Sequence, residues 1–183
     1  MKKRSGQLEM PLCVFAIIIV LVLLFQILNT LQFRLIRTTV EDGLVFSNLA
    51  AAVIDLEEYG KSNRIIISDT SKSYEIFKVS FKENMNLDTS FRPNNTVLFE
   101  DEVKIVCFMI YNVMGNDIEV ITQNEAGSYS QFYGDSLGSL TAPNGRVIES
   151  TSIYSAITFE VEVFDGVFIE ASGSKLIDVV EVE

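Results

Sequence analysis

Between Pro11 and Leu31 the chain carries one unbroken apolar stretch, PLCVFAIIIVLVLLFQILNTL, and no charged residue occurs from Met10 to Phe33. A run of about 20 uncharged residues is long enough to cross a bilayer as a helix. A helix with no polar face cannot lie on the surface of a small water-soluble domain. This segment therefore predicts a membrane-anchored protein before any other residue is considered.

The flanks of the run suggest its orientation. Lys2-Lys3-Arg4 precedes it, with Glu9 the single acidic residue of the first 30 positions. The remainder holds 11 Lys+Arg against 24 Asp+Glu, a formal charge of -13. A basic leader before an acidic remainder fits an N-terminus in the cytoplasm and a C-terminal domain outside. Arg34 and Arg37 put positive charge on the far flank as well. A cleaved secretory signal is the competing reading, but the run exceeds the usual apolar core of such signals. No small-x-small site follows it closely, Ala50-Ala51-Ala52 standing some 20 residues too far downstream.

Composition narrows the function. About 150 residues beyond the run suffice for one modest globular domain. The acidic balance repels phosphates, so no nucleic-acid partner is expected. Histidine and tryptophan are absent. Without histidine the commonest general base, the commonest metal ligand and the Ser-His or Cys-His pairs are all missing. Cys13 lies in the apolar run and Cys107 in a strand-like stretch, so they form no intramolecular disulfide. An exported domain of this kind is more typical of a Gram-positive surface. Cys107, between Val106 and Phe108, reads as a small buried hydrophobe.

From Leu31 to Tyr59 apolar residues recur at Leu31, Leu35, Ile36, Val40, Leu44, Leu49, Val53 and Leu56, close to helical spacing. With no proline in this stretch and Gly60 as C-cap, one helix is predicted from near Glu9 to Tyr59, roughly 75 Å long. Its outer stripe must pack on the chain's own domain or on neighbouring copies. Asn63 to Ser68 reads as a short strand, and Asp69 to Leu87 as a second helix with Asp69 or Ser71 as N-cap. Asp88 to Asn95 is a turn-rich linker. Strands are predicted over Val97 to Val113, Ile118 to Thr122, Ile153 to Phe164, Val167 to Ala171 and Lys175 to Val182, with hairpins at Met114–Asp117 and Asp165-Gly166. Gln123 to Gly145 reads mostly as loop, with a short strand at Tyr129 to Tyr133. The fold class is α+β: a long N-terminal transmembrane and amphipathic helix packed on a C-terminal antiparallel β-sheet.

Possible chemical constellations are sparse. Glu100-Asp101-Glu102 lacks the alternation and glycine of a calcium loop and reads as a solvated turn or edge-strand charge. Asp117, Asp135 and Asp165 each neighbour a glycine or asparagine, as turn residues do. Glu160 and Glu162 alternate with apolar residues on the wet side of a strand. No enzyme, cofactor or metal is expected.

The leader carries more. Lys3-Arg4-Ser5-Gly6, then Gln7-Leu8-Glu9-Met10-Pro11 and a long apolar helix, resembles the N-terminus of type IV pilin-like precursors, and most of all the TadE-like pseudopilins of tight-adherence (Flp-type) systems. That resemblance implies a prepilin peptidase cutting after Gly6, with Gln7 as the new N-terminus. It also implies that Glu9 pairs with a neighbouring subunit's new amino terminus. Glu9 stands third after such a cut; the pilin pattern has its glutamate fifth, where this chain has Pro11. Independently of kinship, a carboxylate at the margin of an apolar helix needs a partner or water. A neighbouring ammonium would supply the first; exposure at the interface, or Lys3 or Arg4, would serve equally. The later segments SNLAAAVIDLEEYGKSNRI, IYNVMGNDIEV and TAPNGRVIESTSIYS resemble single-span pilin-like proteins of Firmicutes.

The domain organisation expected is a cytoplasmic basic leader (1–10), a transmembrane helix (11–31), its extracellular continuation (32–60) and an extracellular α+β domain (61–183). The function expected is that of a pilin-like structural subunit, whose partners are membrane lipid, other pilin-like subunits or the pilus assembly machinery, and a prepilin peptidase. The alternative is a monomeric single-pass surface protein whose β-domain binds a partner.

Overall fold

A computed structural model describes residues 6–95, 99–164 and 166–179, with the backbone alone for residues 6–9 and 164. The chain divides into two units, Met1–Thr38 and Thr39–Glu183. Its fold is α+β, with a long apolar N-terminal helix and a five-stranded antiparallel sheet.

Helix α1 runs from Gly6 to Ala51. It stops eight residues before the predicted end at Tyr59, and the stop has two causes. The Ala51 carbonyl accepts a hydrogen bond from Ser73 Oγ at 2.5 Å, so an orphan acceptor at the helix end is satisfied from outside. Asp55 then opens α2, Leu56–Ser62, its carboxylate accepting from the backbone N–H of Glu57 and Glu58 at 3.0 Å each. Asp55 with Glu58 three positions on has the sequence form of a capping box, a helix start inside what periodicity alone makes one helix. Gly60 accordingly lies within α2, and Asn63 in the left-handed conformation (φ 54°) ends it.

Helix α3, Thr70–Met85, begins at the expected N-cap Asp69, whose carboxylate accepts from Lys72 N at 2.9 Å. The segment before it is not a strand. Ile67 is fully buried, and its N–H and C=O are held by one side chain, Asn112, at 2.8 and 3.2 Å. Thr151 Oγ1 likewise donates to the Ile65 carbonyl. Side-chain amide and hydroxyl replace a strand ladder.

Five strands follow: β1 Lys104–Met114, β2 Asp117–Asn124, β3 Gly127–Tyr133, β4 Ser152–Phe164 and β5 Val167–Asp178, in spatial order β3-β2-β1-β4-β5. Three departures from the predicted strands have physical reasons. The strand expected from Val97 starts at Lys104, because Glu100 to Glu102 is an exposed turn between buried Phe99 and Val103; Val97 itself lies outside the described residues. The short strand at Tyr129 is part of a full hairpin partner of β2, paired from Ile118↔Tyr133 to Asn124↔Gly127. The two last predicted strands are one, β5, continuous through Ser172-Gly173-Ser174 and paired with β4 from Phe164↔Val167 to Ser152↔Asp178. Val180 to Val182 lie outside the described residues.

Both faces of the sheet are covered within the second unit. Side chains alternate along strands, so Phe108, Ile110 and Asn112 of β1 share a face with Ile153, Ser155, Ile157 and Phe159 of β4. Helix α3 covers this face through Tyr74 and Phe77, with ring centroids 5.3 and 5.0 Å from Phe108. Residues 39–51 of α1 cover it beside β5. Asn48 Nδ2 donates to the Lys175 carbonyl at 3.1 Å, and Lys175 pairs with Glu41 at 3.4 Å. A Cβ on Gly173 would stand 2.6 Å from Val40 Cγ1, so only glycine admits the helix this closely. Gly43 plays the same part against Met85 of α3.

On the opposite face Tyr111, Ile118, Tyr154 and Leu176 form a second core with Ala142 and Ile148. Those last two come from the 134–150 connection, most of which falls in the Gln123 to Gly145 stretch expected to be mostly loop. A turn at Pro143-Asn144, closed by Gly145 N donating to the Ala142 carbonyl at 2.8 Å, folds it back on itself. Arg146 then ties it to β5, donating to the Leu176 carbonyl at 3.0 Å and pairing with Asp178 at 3.1 Å.

Candidate membrane anchor and assembly segment

The segment chemically unlike the rest of the surface is the first part of α1. Phe15, Leu21, Phe25, Leu28 and Leu31 each keep half or more of their surface open, and apolar side chains project on every side. Such a helix is stable only when lipid or protein surrounds it. It is long and apolar enough to cross a membrane. Its polar residues Gln26, Asn29, Thr30 and Gln32 gather toward one end of the run. Thr30 Oγ1 donates to the Gln26 carbonyl at 2.8 Å, so this hydroxyl enters an apolar environment already satisfied. Cys13 is a free, exposed thiol on the same helix.

Gly6, Gln7 and Glu9 all lie within the described part of α1. The Glu9 carboxylate and the basic residues Lys2, Lys3 and Arg4 lie outside the described residues. Pro11, also within α1, has no N–H to offer the Gln7 carbonyl.

In the second unit the candidate acidic residues stay apart or serve turns. Glu100, Asp101 and Glu102 are exposed. Asp117 accepts from the Asp135 N–H at 2.8 Å, tying the start of β2 to the turn after β3, while Asp165 lies outside the described residues. Glu160 and Glu162 are exposed on β4, Glu160 directly opposite Glu170. Among the described residues no three His, Cys, Asp or Glu side chains gather as a metal site. Cys107 is half-buried beside Tyr111, and burial pushes its thiol above the usual range and away from the reactive thiolate. Burial pushes the Tyr111 hydroxyl up as well.

Sequence reasoning passed over two surfaces. Strand β3 is the outer edge of the sheet, with Tyr129 and Phe132 exposed. The tip of the β4–β5 hairpin exposes Val167, Phe168 and Ile169 in succession. The run Val167-Phe168-Ile169 beside Asp165-Gly166 was the available signal, but a hairpin reading assigns such residues to a core. No family model, curated protein or solved structure matches this chain.

Proposed function

We propose that this chain is a membrane-anchored, pilin-like structural subunit of a bacterial tight-adherence or type IV-like pilus or secretion apparatus, non-enzymatic and assembled through its N-terminal helix. The observation that carries this reading is a long helix whose first part is apolar on every side and whose last turns belong to a folded α+β unit, in a chain whose sequence opens on a short basic leader. The basic leader and the acidic remainder support an N-terminus in the cytoplasm and an extracellular second unit. Cleavage after Gly6, as in the pilin-like leaders this sequence resembles, gives Gln7 as the new N-terminus. Glu9 is then the residue that meets a neighbour's new α-ammonium, a pairing that removes the cost of an unpaired carboxylate at the lipid margin.

The test is the intact mass of the mature protein, which should lack residues 1–6. A full-length product would leave the second reading ahead: a monomeric single-pass surface protein. That reading is favoured by the open β3 edge, whose free backbone groups suit strand addition by a partner. Changing Glu9→Gln should impair assembly while leaving membrane insertion and the fold of the second unit intact. Unchanged assembly would remove the pairing role.

A further inference from the structure

The two outer edges of the sheet differ in kind. β5 is guarded: Asn48 of α1 donates to its Lys175 carbonyl, Arg146 donates to its Leu176 carbonyl, and Glu170, Lys175 and Asp178 put charge along it. β3 carries none of the devices that keep a strand edge from pairing. Its sequence GSYSQFY has no charge and no proline, and its register with β2 runs without a bulge from Ile118↔Tyr133 to Asn124↔Gly127. Residues 127–132 are all exposed, Tyr129 by 67% and Phe132 by 59%.

The register fixes which backbone groups of β3 point outward. Asn124 and Gly127 flank a two-residue turn, and the pair at such a turn exchanges both backbone bonds. In an antiparallel ladder these pairs alternate with pairs that exchange none. Gly127, Tyr129, Gln131 and Tyr133 therefore direct N–H and C=O to β2, whereas Ser128, Ser130 and Phe132 turn theirs away from it. Among the described residues no backbone group outside the ladder bonds to Ser128, Ser130 or Phe132.

These outward groups are self-complementary. With a second β3 antiparallel and Ser130 opposite Ser130, Ser128 stands opposite Phe132, and every outward N–H meets an outward C=O. A shift of the register in either direction leaves some of them unpaired. The side chains agree with it: Phe132 crosses to the small Ser128 on one face, and Tyr129 crosses to Gln131 on the other. Charge singles out the same edge. From Thr39 onward 9 Lys+Arg stand against 24 Asp+Glu, so two such units repel over most of their surface, and β3 is an uncharged strip. The nearest carboxylates along the chain, Glu125 and Asp135, lie beyond its ends, and Glu125 pairs with Lys78 at 3.6 Å.

We propose that β3 is a self-association edge, at which two copies of this chain join antiparallel across a twofold axis at Ser130 and run their sheets into one. The contact lies wholly within the second unit. It goes beyond assembly through α1 and does not rest on it. The seam is short, so the contact is a reversible one.

Disulfide trapping of the full chain in phosphatidylcholine vesicles tests this, in a Cys13→Ser, Cys107→Ser background. In the proposed register the two Ser130 Cα atoms stand about 5.5 Å apart, a separation that suits a disulfide. The two Ser128 positions lie about 13 Å apart along the strands. Copper-phenanthroline oxidation should link Ser130→Cys into a dimer on a non-reducing gel and leave Ser128→Cys monomeric. A mixture of Ser128→Cys and Phe132→Cys chains should link, as those positions face each other. Adding Ser128→Pro to the Ser130→Cys chain removes an outward N–H but no bond to β2, and should abolish the dimer while circular dichroism stays unchanged. A folded Ser130→Cys chain that does not link overturns the proposal and leaves the edge to a different partner. Equal linking at 130, at 128 and at the exposed control Val147→Cys is random collision and overturns it too. The mass of the mature chain is read separately, so loss of residues 1–6 without linking at 130 keeps the subunit reading and removes only the seam.

Discussion

At the scale of single residues, the second unit depends on a few positions where one atom decides. Gly173 is one: any side chain there meets Val40, which is almost wholly buried under the fold. Gly173→Val should lower stability by about 1–3 kcal/mol, as overpacking does, read from the urea midpoint. Gly43→Ala should be milder, because the Met85 thioether that it meets is flexible and alanine gains about 1 kcal/mol of helix propensity. Asn112 is another such position, since its amide serves both backbone groups of buried Ile67. Asn112→Leu should cost about 1–3 kcal/mol for each group stranded, seen in the same titration. Asp55 gives a pH signature. The Ser68 hydroxyl, then the N–H groups of Glu58 and Glu57, hold its carboxyl below the usual 3.8. A depressed folded-state value means stabilisation present above pH 3.8 and lost as pH falls through the lower folded value. The protection of the Glu57 and Glu58 amides, relative to their intrinsic exchange rate at each pH, should therefore fall below about pH 4, and Asp55→Asn should flatten that response.

At the scale of elements, local chemistry and packing agree for α3 and for the hairpins. Asp69 starts α3, Asn86 ends it at φ 52°, and Tyr74, Phe77, Phe81 and Met85 form its buried side. This was legible because cap residues and a helical stripe name the same boundaries. Phe77 stacks on Phe81 at 5.7 Å and reaches Phe108, so Phe77→Ala should cost about 3–5 kcal/mol. The expected readout is a large drop in melting temperature with no change in membrane partition. Agreement fails for α1, for β5 and for the 134–150 connection. In α1, helical periodicity continued past a capping signal at Asp55. In β5, Ser172-Gly173-Ser174 reads locally as a break, yet glycine is there to let α1 approach. In the connection, Leu140, Ala142 and Ile148 are spaced by a turn rather than by a period, so no periodic template finds them.

At the scale of the whole molecule, two units of opposite character share one chain. The first is an apolar helix that water does not tolerate; the second carries 9 Lys+Arg against 24 Asp+Glu from Thr39 onward. The core of the second is built from residues 39–179, including the last part of α1. A chain beginning at Thr39 should therefore be soluble and folded and should no longer partition into membranes; one beginning at Leu56 should not fold, because Val40, Leu44 and Ser47 leave its core. Far-UV circular dichroism and vesicle flotation distinguish the two outcomes.

The sequence by itself determined the long apolar helix, the α+β class, the start of α3 to within Asp69 or Ser71, and the hairpin strands around Gly115 and Gly166. Each rests on short-range physics: the absence of charge, residue periodicity, or turn chemistry within a few positions. The candidate residues Gly6, Gln7 and Glu9 were visible in the same way, as a pattern beside the apolar run. Only the tertiary structure decided where α1 ends, why Ile65 and Ile67 form no strand, how one β5 replaces two, and which edge of the sheet is left open. These depend on partners far along the chain: Ser73 for Ala51, Asn112 for Ile67, Val40 for Gly173. A local pattern cannot name a partner 45 or 133 residues away, and in this protein such partners set the limits of the elements.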